Sequence, residues 1–241
     1  MNAPLIAVPL ALEWLLIVTA LTPGTFLGKF TAKPNCGIVL WFISLISGFF
    51  SIVVILSVTV WSLLEMFENA VEAKHVALQL ISNLAIWAVL ALGGVTLALI
   101  NNRIEPLIER AKEIRPMLSS AAKVVEVFQG VPVKVIRANV PVLFSEVNYG
   151  SKCILVTSAA LDQLTREELE AGFWHEIGHL RGRHARLRSF AKLIRVITPR
   201  ILASRCLVTE IDRLTELAAD QFALRKVSVD VLAAARAKFL E

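Results

Sequence analysis

The sequence predicts an α-helical membrane protein with about three N-terminal transmembrane helices, followed by a cytoplasmic α+β domain with a small sheet. Hydrophobic residues make up 56% of the 241 residues and charged residues only 19%, whereas soluble domains usually carry about 25% charged residues. The long uncharged runs lie within the first 102 residues, and most of the charge follows them. We therefore predict a transmembrane region over residues 1–102 and a polar domain over residues 103–241.

Three apolar runs in the first region are candidate spans, because a transmembrane helix needs about 20 apolar residues. They cover residues 5–21, 36–64 and 76–100, and the last two carry no charged residue. The first run contains Glu13, which leaves two interpretations open. Glu13 is either an intramembrane carboxylate facing the helix bundle or a wet cavity, or it lies at the interface of a span that begins near Trp14.

The distribution of lysine and arginine predicts the orientation, because cytoplasmic loops are enriched in both. The loop after the first span carries Lys29 and Lys33 and no acidic residue, and the segment after the third span is also basic. The loop between the second and third spans, EMFENAVEAKH, is acidic with one lysine. We therefore predict a multi-pass protein of the cell membrane, with its N-terminus outside and its polar domain in the cytoplasm.

Charge and cysteine content limit the choice of partners. The net charge of +5 suits the cytoplasmic flanks of membrane helices. The arginines between residues 181 and 205 lack interleaved base-stacking aromatics, so we expect a lipid bilayer and no nucleic acid as partner. The three cysteines are widely spaced and form no CxxC pair, which favours reduced thiols over a disulfide framework or a cysteine zinc site.

We predict that the polar domain begins with a helix and continues with strands. A helix is predicted over residues 103–128, broken near Pro116. Three β-like runs follow, VPVKVIR, VPVLFSEV and KCILVTS. We expect the last of them to pair with an extended peptide, as edge strands can.

Helical signals fill the remainder of the chain. Thr165 with Glu168 three residues later is a capping-box signature, which places the sequence FWHEIGHLRGRH on a helix. An amphipathic helix over residues 189–202 should end near Thr198 because of Pro199; it lies either on the membrane surface or on the domain core. Two more helices are predicted over TEIDRLTELAADQFALRKV and SVDVLAAARAKFL.

Two histidines and a glutamate on the first of these helices form a candidate zinc site. His175 and His179 are four residues apart and share one helix face, so both imidazoles can bind one ion. Glu176 is offset around the helix and is placed to act as general base toward a water molecule that zinc activates. This HExxH arrangement still needs a third protein ligand.

The later helix offers that ligand. Glu216 and Asp220 are also four residues apart and share a face. We predict Glu216 as the third ligand and Asp220 as the acceptor that fixes the tautomer of a ligating histidine. The reverse assignment, with Asp220 on the metal and Glu216 as the orienting group, stays open.

The combination of HExxH, a downstream glutamate and an aspartate four residues later resembles the membrane-integrated gluzincin peptidases. It is most similar to the antirepressor metallopeptidases typified by the β-lactam sensor–transducers, and next to the HtpX and CAAX prenyl protease group. The short gap between His179 and Glu216 lacks the hydrophobic hairpin that HtpX places there. The resemblance covers roughly residues 131–224 and implies a zincin-like domain that binds one Zn²⁺ per chain. We expect only the protease module, and not β-lactam sensing, to carry over.

Three further residues in the polar domain have predicted roles. His184 is an auxiliary candidate that could assist the oxyanion or the metal. Tyr149 is either a donor to a tetrahedral oxyanion or, more commonly for its place before a strand, a turn aromatic. On a continuous helix His184 would lie opposite the ligand face, which favours a solvated position near the helix end. Gly178 costs about 1 kcal/mol relative to alanine inside a helix, which predicts that another element packs closely against it.

The sequence therefore predicts a membrane-bound zinc endopeptidase that acts on protein or peptide substrates. Regulated cleavage of a cytosolic repressor and general turnover of membrane proteins both remain open within that function. The alternative is a non-catalytic metal-binding membrane regulator or scaffold. The sequence does not predict an oligomeric state.

Overall fold

The computed structural model describes residues 3–72, 123–148, 151–198 and 202–240. The predicted third span over residues 76–100, the boundary at residue 102 and Tyr149 lie outside the described residues. The chain divides into two compact units. Among the described residues, the first unit comprises 3–29, 39–72, 194–198 and 202–207. The second unit comprises 30–38, 123–148, 151–193 and 208–240.

The first unit contains helix α1 (Ala3–Phe26) and most of helix α2 (Pro34–Glu72), which include the first two predicted spans. Hydroxyl groups join the two helices: Thr22 Oγ1 and Ser44 Oγ lie 2.6 Å apart. One described segment, Pro34–Ser62, is long and apolar enough to cross a membrane, whereas the apolar part of α1 is shorter. Glu13 lies within α1 with an exposed side chain.

The second unit contains a four-stranded mixed sheet. Its strands are β1 (Lys123–Phe128), β2 (Val131–Ile136), β3 (Leu143–Asn148) and β4 (Ser151–Thr157), in the order β1-β2-β4-β3. Strand β4 pairs parallel with β2 and antiparallel with β3. The prediction of β4 as the edge strand is therefore wrong, and β3 is the terminal strand on that side of the described sheet.

The first strand corrects a second prediction, since KVVEVF was expected to be helical. Three β-branched valines favour an extended backbone here, and β1 pairs antiparallel with β2. Gln129 and Gly130 form the connecting turn with positive φ values of 51° and 78°. Positive φ at both central residues is the signature of a tight hairpin turn whose twist matches the strands.

Five helices complete the described chain: α3 (Ser158–Gln163), α4 (Arg166–Arg181), α5 (His184–Ile197), α6 (Leu202–Ala223) and α7 (Val229–Leu240). The predicted start of the HExxH helix is confirmed. Thr165 Oγ1 accepts from the Glu168 backbone N–H at 3.3 Å, and Glu168 Oε2 accepts from the Thr165 backbone N–H at 2.7 Å. Helix α5 begins earlier than predicted, at His184, and ends at Ile197 as the following Pro199 requires.

The core of the second unit lies between the sheet and α4. Val133, Ile154 and Val156 from the sheet are almost fully buried and belong to one cluster with Phe173 and Ile177 of α4. The face of α4 that carries Phe173 and Ile177 is buried against the sheet, and His175 and His179 lie on the opposite face. The helix bearing the HExxH sequence is therefore fixed to a rigid sheet.

Helix α6 approaches α4 at Gly178, as the sequence predicts. A Cβ atom at Gly178 would lie 3.0 Å from the Ala219 Cα atom and 3.2 Å from its carbonyl oxygen. The missing side chain thus lets the two backbones come close, which brings Glu216 and Asp220 of α6 to the histidine face of α4.

Candidate metal centre

The two histidines of α4 direct one ring nitrogen each to the same point. His175 Nε2 and His179 Nε2 lie 3.0 Å apart, since residues four apart stand one above the other on a helix. Both side chains are mostly buried, with 14% and 11% of their surface exposed. The backbone of α4 therefore sets the spacing of the two nitrogens.

Glu216, from α6, completes a triangle of three donor groups and turns a different carboxylate oxygen toward each histidine. Its Oε2 lies 3.3 Å from His175 Nε2, and its Oε1 lies 3.5 Å from His179 Nε2. Zinc–ligand bonds of 2.0–2.1 Å in a tetrahedron place ligand atoms roughly 3.3 Å apart. Two imidazole nitrogens and one carboxylate at these separations fit a zinc ion with one open position.

Asp220 lies behind His175, as predicted for the group that fixes its tautomer. His175 Nδ1 and Asp220 Oδ1 are 2.9 Å apart, so a proton on Nδ1 donates to the carboxylate and leaves the Nε2 lone pair free. Such carboxylate–histidine pairs orient metal ligands and raise their basicity. The site thus has an inner carboxylate, Glu216, and an outer one, Asp220.

The charges at this point favour a cation. Burial alone lowers the pKa of His175, but its bonds to Asp220 and Glu216 outweigh that effect and raise the pKa to about 9. The same histidines, together with Arg188, hold the pKa of the Glu216 carboxyl well below its usual range. The pocket therefore stabilises positive charge where a divalent ion would lie.

Glu176 is held apart from the triangle by the edge strand. It is buried, and its Oε2 accepts the backbone N–H of Ser145 in β3 at 2.7 Å. It still belongs to the compact group formed with His175 and His179, whose ligand atoms all lie within 4.8 Å of one another. This position suits a base beside the metal better than a metal ligand.

A cleft of about 550 Å³ opens over these residues. Strand β3 contributes Leu143 and Ser145 to it, and α7 contributes Leu232 and Arg236. The metal-facing atoms therefore lie at the base of a groove with a strand edge on one side and a helix on another.

His184 is not in the solvated position predicted for it. Helix α4 ends at Arg181, and Arg183 takes a left-handed conformation with φ of 53°, so the chain turns before α5 begins. His184 is 3% exposed and its Nδ1 lies 2.9 Å from His179 Nδ1. The prediction assumed one continuous helix, and the turn returns the ring to the site. Burial, followed by the nearby His179 and Arg188, lowers the pKa of His184 to about 4.

Two arginines at the site were missed by the sequence analysis. Arg188 Nη2 donates to Glu216 Oε1 at 2.6 Å. Arg236 Nη2 donates to Glu216 Oε2 at 3.2 Å, and Arg236 Nη1 lies 2.7 Å from Asp220 Oδ2. The spacing of four between His184 and Arg188 is a signal that places both on one face of α5. The contact of Arg236 depends on the packing of α7 and has no local signal.

Comparison with known families agrees with this geometry. The family model described as Peptidase family M48 matches residues 110–205, less than half of the chain. The match includes α4 with its HExxH sequence and ends before Glu216 and Asp220. It supports a metallopeptidase of this family, which typically depends on zinc, and it does not distinguish the antirepressor-like from the HtpX and CAAX prenyl protease resemblance. A search of curated proteins found no match.

Proposed function

We propose that this chain is a zinc-dependent endopeptidase of the cell membrane. One Zn²⁺ per chain would be held by His175, His179 and Glu216, with Asp220 orienting His175. The observation that carries the proposal is the triangle of three donor groups, two imidazoles and one carboxylate, beside a separately held glutamate. The nearest donor atoms of these groups lie 3.0 to 3.5 Å apart. The match to the M48 peptidase family supports the same reaction class.

The catalytic role falls to Glu176. When bound, zinc supplies Lewis acidity, which polarises the scissile carbonyl and activates water. Glu176 takes a proton from the attacking water and returns it to the leaving amine. The Ser145 N–H fixes one carboxylate oxygen of Glu176, which leaves the other oxygen available for proton transfer.

The edge of β3 is the proposed docking site for the substrate backbone. Its inner side pairs with β4, while the Ser145 N–H points the other way, toward Glu176. An extended peptide added along this outer edge passes the metal-facing atoms, and main-chain bonds of this kind bind peptides with little dependence on sequence. We therefore propose protein or peptide segments in extended conformation as substrates.

The membrane topology rests partly on a contact of the α1–α2 connection. Gln221 Nε2 donates to the carbonyl oxygens of Thr31 and Ala32 at 3.3 and 3.1 Å. The connection carries the basic residues Lys29 and Lys33 and immediately precedes the candidate span Pro34–Ser62. Since basic loops favour the cytoplasm, we propose that the peptidase unit is cytoplasmic.

The decisive experiment compares Glu176→Gln with wild type in the full-length chain. The variant should bind zinc stoichiometrically and lose peptide cleavage, because the amide cannot accept the proton. Cells that express either form are compared by N-terminal proteomics of membranes and cytosol, with Glu167→Gln as the matched control on the exposed side of α4. Fragments should disappear only in the Glu176 variant.

Near-normal cleavage by Glu176→Gln would contradict the proposed mechanism. Stoichiometric zinc without any fragment that depends on Glu176 would favour the non-catalytic regulator instead. The identity of the fragments separates the two remaining physiological roles: one cytosolic repressor indicates regulated cleavage, and many membrane proteins indicate general turnover.

A further inference from the structure

Helix α5 directs two of its side chains toward the donor triangle, at His184 and Arg188. They are four residues apart and so share one helix face. His184 contacts the ligand His179, and Arg188 contacts the ligand Glu216. The third ligand, His175, has its own partner in Asp220. Each of the three donor groups is thus held from behind by a different side chain.

The contact between the two histidines has a defined polarity once His179 binds a metal through Nε2. His179 then carries its remaining proton on Nδ1 and donates it to His184 Nδ1, 2.9 Å away. His184 must accept through Nδ1 and carry its own proton on Nε2. A neutral acceptor at this place fixes both the tautomer and the ring plane of His179.

Gly182 provides the space that this contact requires. Its backbone lies in the ordinary right-handed region, with φ of −72° and ψ of −6°, which any residue adopts. A Cβ atom there would lie 2.0 Å from His184 Nε2 and 2.4 Å from its Cδ2. Glycine is therefore needed at position 182 for the ring of His184 and not for the backbone conformation.

Arg188 is fixed from a second direction. Its Nε donates to Thr215 Oγ1 at 2.7 Å, while its Nη2 donates to Glu216 Oε1 at 2.6 Å. Thr215 is fully buried, and its hydroxyl in turn donates to the Ile211 carbonyl oxygen at 2.7 Å. The planar guanidinium thus spans two adjacent residues of α6 and limits the rotation of Glu216.

We propose that His184 and Arg188 are a positioning pair, through which α5 aligns His179 and Glu216 for metal binding. The inference rests on the proposed zinc site and extends the motif to His179-x4-His184-x3-Arg188. Neither residue is catalytic, because each acts through a ligand. Their removal should weaken zinc binding, since loss of a group that orients a metal ligand typically costs 10–100-fold in metal affinity.

The test measures zinc affinity of the purified full-length chain by competition with a chelator. His184→Leu should bind zinc about 10–100-fold more weakly, and His184→Asn, which keeps an acceptor at the same place, should restore most of the affinity. Gly182→Ala should weaken binding because it displaces the same ring. Arg188→Lys keeps the charge but loses the two-pronged contact, and we expect about tenfold weaker binding, with Arg186→Lys on the exposed face as matched control.

The visible absorption spectrum of the cobalt-substituted protein gives a second readout, because it reports coordination geometry. The spectrum should change in His184→Leu and Arg188→Lys and stay that of wild type in His184→Asn and Arg186→Lys. Wild-type affinity and spectrum in folded His184→Leu, Gly182→Ala and Arg188→Lys would overturn the positioning pair. A wild-type chain that binds no zinc would instead overturn the proposed function.

Discussion

The proposed metal site could be predicted as two pairs, His175 with His179 and Glu216 with Asp220, because the spacing within each pair is local. Residues four apart lie on one face of any α-helix, so HExxH and the Glu216/Asp220 pair each define half of the site without knowledge of the fold. The spacing does not identify the side chains that contact these donor residues from outside the site. His184 follows a turn in which Arg183 takes a left-handed conformation, and nothing in the sequence marks a non-glycine residue for that conformation.

A substitution of Asp220 tests whether this carboxylate orients His175 for metal binding. Asp220→Asn keeps an oxygen that can accept from His175 Nδ1 but loses the negative charge and the ion pair with Arg236. We expect about tenfold weaker zinc binding, at the lower end of the range for such substitutions. Chelator competition on the full-length chain measures it, with the exposed Asp230→Asn as control. Equal affinities in wild type and Asp220→Asn would assign no metal-orienting role to this carboxylate.

Among the elements, α4 was predicted well and β1 was not, for different physical reasons. The start of α4 is set by the contact between Thr165 and Glu168 over three residues, so the sequence carries it. Strand β1 depends on pairing with β2 through a turn at Gln129 and Gly130, and no Asn-Gly or Asp-Gly signal marks that turn. The place of β3 at the sheet edge is a long-range property and was missed in the same way.

The cap of α4 predicts a pH dependence of stability. The Glu168 carboxylate accepts from Lys238 Nζ at 2.6 Å and from the Thr165 backbone N–H. These hydrogen bonds lower the pKa of the carboxyl, and the bond from Lys238 has the larger effect. A carboxyl whose pKa is lower in the folded than in the unfolded chain stabilises the fold above its unfolded pKa, which is about 4.3 for glutamate. That stabilisation is lost as the pH falls below this value through the folded pKa.

We expect Glu168→Gln to lower the melting temperature at pH 7 and to do so progressively less as the pH falls from about 5 toward 3. Glutamine still reaches the Thr165 N–H, so the difference isolates the ionic contact with Lys238. Thermal melts of detergent-solubilised wild type and variant measure it, with the exposed Glu167→Gln as control. If the difference in melting temperature between wild type and Glu168→Gln stays constant with pH, the charge of Glu168 does not contribute to stability.

For the whole molecule, the sequence predicts a membrane part and a polar part, because hydropathy can be summed along the chain without knowledge of the fold. The structure adds that residues 30–33, the second half of the connection between α1 and α2, belong to the second unit. Its carbonyl oxygens at Thr31 and Ala32 accept from Gln221, the residue after Asp220. The helix that supplies Glu216 and Asp220 is thus tied directly to the residues that precede the candidate span, a contact that no local pattern predicts.

In the proposed membrane topology, this contact requires that the α1–α2 connection and the end of α6 lie on one side of the bilayer. In a cysteine-free background, single cysteines at the exposed positions Lys33 and Arg225 should both resist an impermeant thiol reagent in intact cells and react after permeabilisation. A cysteine at Glu68, in the acidic loop predicted to lie outside, should react in intact cells. Reaction of Lys33→Cys and Arg225→Cys in intact cells would reverse the proposed orientation. Reaction of only one of them would contradict the contact itself. Lys33 follows Ala32 and Arg225 lies four residues after Gln221, and residues next to a bond of 3.1 Å cannot face opposite sides of a bilayer.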